Sequence, residues 1–475
     1  MKHLFVLIFS STLAIAPLSA QYVLSLEECL EFALKNNLQL KQTELNVERS
    51  MVNKERAIAD FLPSVNTGAS YGVNYGQRID PFTNQFATNS VASANLFGST
   101  SLTLFSGLTK VNTLKQSRYA WLASIKDVDG VQNSLRLNVT MAYLNVLFAR
   151  ELLFIADNQL EITRQQVDRT KSLVDAGQLP RVSLLDLESQ MASEELNVVN
   201  AQNDLTIAKV SLVQILQIED IRVDDFDVAA PAVDNLRPTP LVISSDEVFN
   251  AALSLMPEVQ AAEYRIASAQ SGLAAARGRH SPTLALGAQI GTGYSELNVI
   301  RNQVGVADIP FGFVEGTGQQ VFVQQPILMD DGPRPFQDQF RDNFNRNLAL
   351  NLTIPIFNGW QVRTGVQQAR IDLESAQLAL EERRNELYQD IRRAHADASA
   401  AHKQFLASSK AVEALGENFN YAEARFQQKA INAVEYFDIK TRLTNAESNL
   451  AQAKFNYLFR TKILDFYQGK PISLD

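Results

Sequence analysis

Residues that could do chemistry are few in this chain, and their spacing argues against it. His395 and His402 stand seven apart and could share one helix face, as two imidazoles on a metal would. A zinc-binding helix places its pair at i and i+4 with a third ligand close by, so surface histidines are the expectation here. Only four histidines and one cysteine occur in the whole chain. A lone Cys29 excludes an intrachain disulfide framework, a cysteine zinc site and an iron–sulfur cluster. Gly287, Gly291 and Gly293 have the look of a phosphate loop, but they sit inside an alternating strand with no helix start after them. Asn138-Val139-Thr140 matches a glycosylation sequon in the middle of a helix, where it is read as chance. No Ser, His and Asp grouping forms a nucleophile elbow. The expectation is a protein that is not an enzyme and holds no metal or cofactor.

Composition narrows the class further. Apolar residues make up 46% and charged residues 20% of 475 positions, a foldable balance. The 43 Lys+Arg against 52 Asp+Glu give a formal charge of −9. That leaves no basic footprint for phosphate neutralisation, so nucleic acid is not an expected partner. Glycines number 21 and prolines 15, well below the roughly 12% of average proteins, and long uninterrupted elements are expected. Lys2 and His3 precede an apolar run from Leu4 to Leu18, and Ser19-Ala20 offers a small residue for cleavage before Gln21. Residues 1–20 therefore read as a secretory signal peptide, too short and too polar at Ser10 to Thr12 for a membrane anchor. Beyond it no run approaches about 18 consecutive apolar residues, which leaves a periplasmic or secreted chain, or a membrane β-structure.

An internal repeat supplies the elements. Ser25-Leu26-Glu27-Glu28 recurs 219 residues on as Ser244-Ser245-Asp246-Glu247, each a capping box, and Pro63 recurs as Pro282. Helices are expected over 26–60 and 245–279, each stopped by proline. Phe105-Ser106-Gly107 recurs 252 residues on as Phe357-Asn358-Gly359. The heptad seam Leu135, Ala142, Ala149 keeps its register as Leu387, Ala394, Ala401. No proline lies between 109 and 175, and about 67 residues at about 1.5 Å each make a rod near 100 Å. Breaks at 176–182 and 428–433 turn each rod into an antiparallel helical hairpin. The organisation is thus a first repeat over 21–217, a connecting segment over 218–244, a second repeat over 245–467 and a tail over 468–475. The larger offset places a 33-residue insertion in the Gly-, Pro- and Asn-rich stretch 297–346, read as a loop extension.

Each repeat also carries one hairpin of strands. After Pro63, Val65, Thr67, Ala69, Tyr71 and Val73 alternate with Asn66, Gly68, Ser70, Gly72 and Asn74. Leu284, Leu286, Ala288 and Ile290 follow Pro282 in the same way, and returning strands are expected around Leu96 to Leu104 and Leu348 to Ile354. About ten residues per strand with one uncharged polar face fits a water-filled membrane barrel. Four strands leave two open edges, which lipid forbids, so chains must pool strands, eight from two copies or twelve from three. A non-conducting structural or adhesive coiled coil would explain the heptads, but it leaves the polar-faced strands without a purpose.

From about residue 22 to 470 these marks resemble the TolC-type outer-membrane efflux protein family. The strand, strand, long helix, short helix order is similar, as are Pro355-Ile356-Phe357-Asn358-Gly359 and the Gly177-Gln178-Leu179 turn before Val182-Ser183-Leu184-Leu185-Asp186. The resemblance implies an α+β membrane protein in the bacterial outer membrane, a homotrimer with a twelve-stranded barrel continued by a helical tube through the periplasm. It also implies a passive exit duct for small molecules or polypeptides, working with a periplasmic adaptor protein and an inner-membrane pump. Gly177, Leu179, Pro180, Val182 and Ser183 at one hairpin tip, with Ile431 and Val434 at the other, become the expected docking surface. Lys429 stands where the first tip has its glycine. Asp168, Asp175 and Glu423 become the expected periplasmic gate, because like carboxylates from several chains around one lumen favour cations and are relieved by opening.

Overall fold

A computed structural model describes residues 22–87, 90–218, 222–229, 243–428 and 430–472. The leader expected at 1–20, Gln21, parts of 218–244, Lys429 and the last three residues of the tail lie outside the described residues. In chain order the fold runs β1 (Tyr22–Leu24), α1 (Leu26–Asn36), α2 (Leu38–Ala59), β2 (Ser64–Asn74), β3 (Arg78–Ile79), β4 (Phe86–Ala87), β5 (Val91–Phe105), α3 (Thr109–Asp175) and α4 (Arg181–Leu216). After a short 3-10 turn and β6 (Phe226–Val228) come α5 (Ser245–Leu255), α6 (Pro257–Gly278), β7 (Thr283–Ser295), β8 (Val299–Phe313) and β9 (Gln320–Pro333). The chain closes with α7 (Phe336–Asp342), β10 (Asn345–Thr353), α8 (Gln361–Gln427) and α9 (Ala433–Tyr467). Two compact units form. One is drawn from Ala120–Ile266 and Ser375–Asp475 with the N-terminal residues to Ser50, the other from Met51–Tyr119 and Ala267–Glu374.

Capping boxes start α1 and α5: the Ser25 and Ser244 hydroxyls accept from the Glu28 and Glu247 amides, and both glutamates reach back to the serine amides. The single helices expected over 26–60 and 245–279 are each divided in two. Asn37 ends α1 and caps α2, its Oδ1 accepting from the Leu40 amide at 3.0 Å. In the second copy Met256 breaks the helix before Pro257, which fits only the first turn of a new one. These breaks are themselves 219 residues apart. The entry to each long helix also repeats: Gly107 and Leu108 have φ of 60° and 61°, Gly359 and Trp360 62° and 65°.

In the helical unit, Cys29 and Ala33 of α1 pack with Val139, Tyr143 and Val146 of α3, Leu212 and Leu216 of α4, and Phe226 of β6. The second copy sets Val248, Ala252, Met256 and Val259 against Leu387 and Ile391 of α8. An 18-residue window of α3 is apolar enough to cross a bilayer. Val139, Tyr143, Leu144, Val146, Leu147 and Ala149 of the same helix are buried in this core.

The other unit holds a four-stranded antiparallel sheet in the order β10-β7-β5-β2. Its outer strands β2 and β10 are each paired on one side only among the described residues. The insertion differs from the loop expected over 297–346: β8 and β9 pair as an antiparallel ribbon, and α7 comes after them. Register shifts at Gln303/Gly305 and Pro310/Gly312 interrupt the alternation, which is why a period of two is hard to see in the sequence.

Candidate functional site

The sheet sorts its side chains by face. Val65, Thr100, Ala288 and Leu348 stand opposite one another across the four strands, and one residue along, Asn66, Ser99, Gln289 and Asn347 make the next row. Antiparallel partners project to the same side, so one face carries Leu102, Leu286 and Leu350 while the other carries amides and hydroxyls. Val65 is 78% exposed, Leu348 74% and Leu350 62%, an uncovered apolar face. On the polar face Phe97 stands opposite Gly68, where a Cβ would lie 2.7 Å from the ring. A side chain there would displace the ring.

At the first tip, α3 ends in a Schellman motif. The Gly177 amide donates to the Val174 carbonyl at 2.9 Å and the Gln178 amide to Leu173 at 2.8 Å. Gly177 has a φ of 72°, which a side chain resists. Pro180 is the N-cap of α4 and its carbonyl accepts from the Ser183 amide. Leu179 is half-buried, while Val182 is 63% exposed. At the second tip the Ala430 amide reaches the Arg425 carbonyl at 2.8 Å, and Asn432 caps α9 by accepting from the Glu435 amide. Val434 faces solvent, but Ile431 does not. It is buried with Ala422 and Tyr436, because the turn points it back into the hairpin.

Of the acids placed at a gate, Asp168 and Asp175 lie exposed on α3 and Glu423 half-buried on α8. Glu423 adjoins Tyr436, whose phenol is pushed up to about 12 by burial, with the Glu423 charge adding to the shift. Phe426 stacks on Tyr436 at 4.6 Å between centroids, and Phe419 and Phe437 flank it. His395 meets the Ile243 carbonyl at 3.0 Å and His402 lies beside Tyr457, so the two do not converge. Among the described residues no cluster of His, Cys, Asp and Glu is built to hold a metal.

One polar centre was not expected from sequence. Lys440 of α9 is 1% exposed and Glu194 of α4 3%. The Lys440 ammonium donates to the Thr163 hydroxyl at 2.6 Å and the Gln159 carbonyl at 2.9 Å, both on α3, and lies 3.7 Å from the Glu194 carboxylate. Glu194 also accepts from the Thr163 hydroxyl and from the Gln190 amide at 2.9 Å. The first hairpin is thereby fastened to the second. A sequence signal existed: Tyr436, Leu443 and Leu450 form one seam of α9, while its companion seam reads Lys440, Glu447, Lys454. Glu447 and Lys454 line the cavity of about 350 Å³ that Lys440 borders.

The family model for outer membrane efflux proteins matches residues 29–216 and 248–465. The chain is 25% identical to the outer membrane protein TolC of Escherichia coli over 443 residues, 91% of this chain and 80% of that protein. It is 24% identical to the outer membrane protein OprJ of Pseudomonas aeruginosa, covering 87% and 77%. A solved structure of CusC superposes with a TM-score of 0.74 at 18% identity, covering 97% and 96%. The two matched segments are the two repeats, each carrying its strands and its long hairpin, and the chain belongs to the outer membrane efflux protein family, an outer-membrane channel component and not an enzyme.

Proposed function

We propose that the chain is one third of a passive exit duct, conducting small molecules or polypeptides out through the outer membrane when an inner-membrane pump and a periplasmic adaptor engage its helical tips. The observation that carries this reading is the sheet: four strands, two open edges, an uncovered apolar face and an uncharged polar face. In lipid those edges must be paired, and four strands are too few to close alone. Three copies, the number the family resemblance implies, pool a twelve-stranded barrel whose polar faces line the lumen.

The tips support docking at exposed apolar positions. Val182 and Val434 present the surface, Leu179 and Ser183 adjoin it, and Gly177 and Pro180 set the turn that displays it. Ile431 acts from within, holding the second tip. Asp168, Asp175 and Glu423 form the periplasmic gate in this reading, with three-fold repetition bringing like carboxylates around one opening. Native mass spectrometry in mild detergent tests the assembly. A complex of three copies is expected, and a folded monomer would refute the duct.

A further inference from the structure

The β8–β9 ribbon is the part of the molecule that this reading leaves without work. It follows the C-terminal end of β7, and its twelve paired positions make it longer than a turn needs. A two-stranded ribbon is marginal in water on its own. This one nevertheless leaves Phe311 80%, Phe313 71% and Met329 64% exposed. Between Asn302 and Met329 the only charged residues are Asp308 and Glu315.

Its base is fixed. The Gln339 side chain of α7, fully buried, donates to the Ser295 and Arg334 carbonyls at 3.0 Å each and accepts from the Ser295 amide at 3.0 Å. The Arg334 amide reaches the Asn298 carbonyl at 2.7 Å, and Asn343 donates to the Gly293 carbonyl at 2.7 Å. Residues just before β8 and just after β9 are thus clamped to the end of β7, so the ribbon leaves the sheet in a set direction. Its backbone edges, by contrast, are guarded. Pro310 and Pro326 lack amide donors, and the register shifts distort β8, which are the usual devices against strand addition. What remains available for contact is side chains.

We propose that the β8–β9 ribbons of neighbouring copies pack on one another through these apolar side chains, so that the outer mouth of the duct is bounded by joined ribbons. This rests on the trimeric reading above. The occupant is a second copy because each ribbon is clamped to β7 and leads through α7 into β10, the open-edged strand that must meet the next chain. Assembly through β10 brings the ribbons of neighbouring copies to one rim, and the low charge of their faces opposes contact little.

The test uses the full chain in outer-membrane vesicles, with Val304→Cys, Phe311→Cys and Met329→Cys made singly. Native Cys29 is fully buried and stays silent. Crosslinking with a short bismaleimide should give linked pairs of chains at one or more of these positions, while native mass spectrometry still counts three copies. Trimers that never crosslink at any of the three overturn the proposal and leave the duct standing. Loss of the trimer in the unsubstituted chain overturns the duct reading itself. Phe311→Trp provides a second arm: its fluorescence should be indifferent to brominated lipid, and strong quenching would assign the ribbon to the membrane surface instead.

Discussion

Lys440 on α9 and Glu194 on α4 face each other at 3.7 Å with side chains 2% and 4% exposed, and through Thr163 they bind the two helical hairpins of one chain together. Burial drives the Lys440 ammonium down to about 8 even with a carboxylate beside it, so desolvation outweighs the pair's attraction. Such a pair fixes which helix meets which more than it adds stability.

The first prediction comes from that imbalance. Lys440→Met or Glu194→Leu alone strands one buried charge and should destabilise the helical unit by about 3–5 kcal/mol. The double substitution should recover most of the loss. Thermal unfolding monitored by circular dichroism across the four proteins measures the coupling, and purely additive losses would contradict it.

The second prediction concerns pH. Lys440 titrates near 8 when folded and near its ordinary 10.5 when unfolded, so between those values the unfolded chain holds more protons and stability rises with pH. The gain is on the order of 3 kcal/mol at most. Cys29, pushed by burial from 9.0 to about 12, acts in the opposite sense over an overlapping range. The signature is therefore the difference between wild type and Lys440→Met, which should grow from pH 8 to 10.5. A pH-independent difference would mean the lysine is not desolvated.

The third prediction separates the faces of the sheet. Leu350→Arg should impair assembly by about 2–4 kcal/mol if its row lies near the bilayer midplane, while Asn351→Arg, one residue along, should assemble normally. Yields of heat-resistant trimer report the contrast. Equal tolerance of both would take the sheet out of lipid.

The fourth prediction divides geometry from contact at the first tip. Gly177→Val forces a β-branched residue into a left-handed conformation and should lower stability by about 1–2 kcal/mol. Val182→Asp should leave folding untouched and abolish export, with loss of tip-to-adaptor crosslinks. Normal export by Val182→Asp would move docking elsewhere.

Much of this architecture is legible in the sequence because it repeats. The capping serines, the glycine entries to the long helices and the heptads each occur twice, and the strands alternate strictly enough that Val65 and Asn66 fall on opposite faces by pattern alone. Three features escape for physical reasons. Asn37 breaks a helix whose apolar pattern continues across the break, whereas at the matching Met256 the following Pro257 is itself a legible stop inside the expected helix. The ribbon hides its period behind register shifts and prolines. Lys440 reads as a solvated charge until α3 and α4 close over it, because burial depends on partners far away in sequence. Ile431 shows the converse, an apolar tip residue whose direction only the turn decides.

In the assembled duct the polar face of the sheet lines an aqueous path. Single-channel recording of the purified protein in planar bilayers tests it most directly, with Asn351→Arg alongside wild type. Discrete ion-conducting openings are expected, with a shift of selectivity toward anions in the variant. A protein that inserts but does not conduct, or conducts with selectivity unchanged by Asn351→Arg, would contradict it.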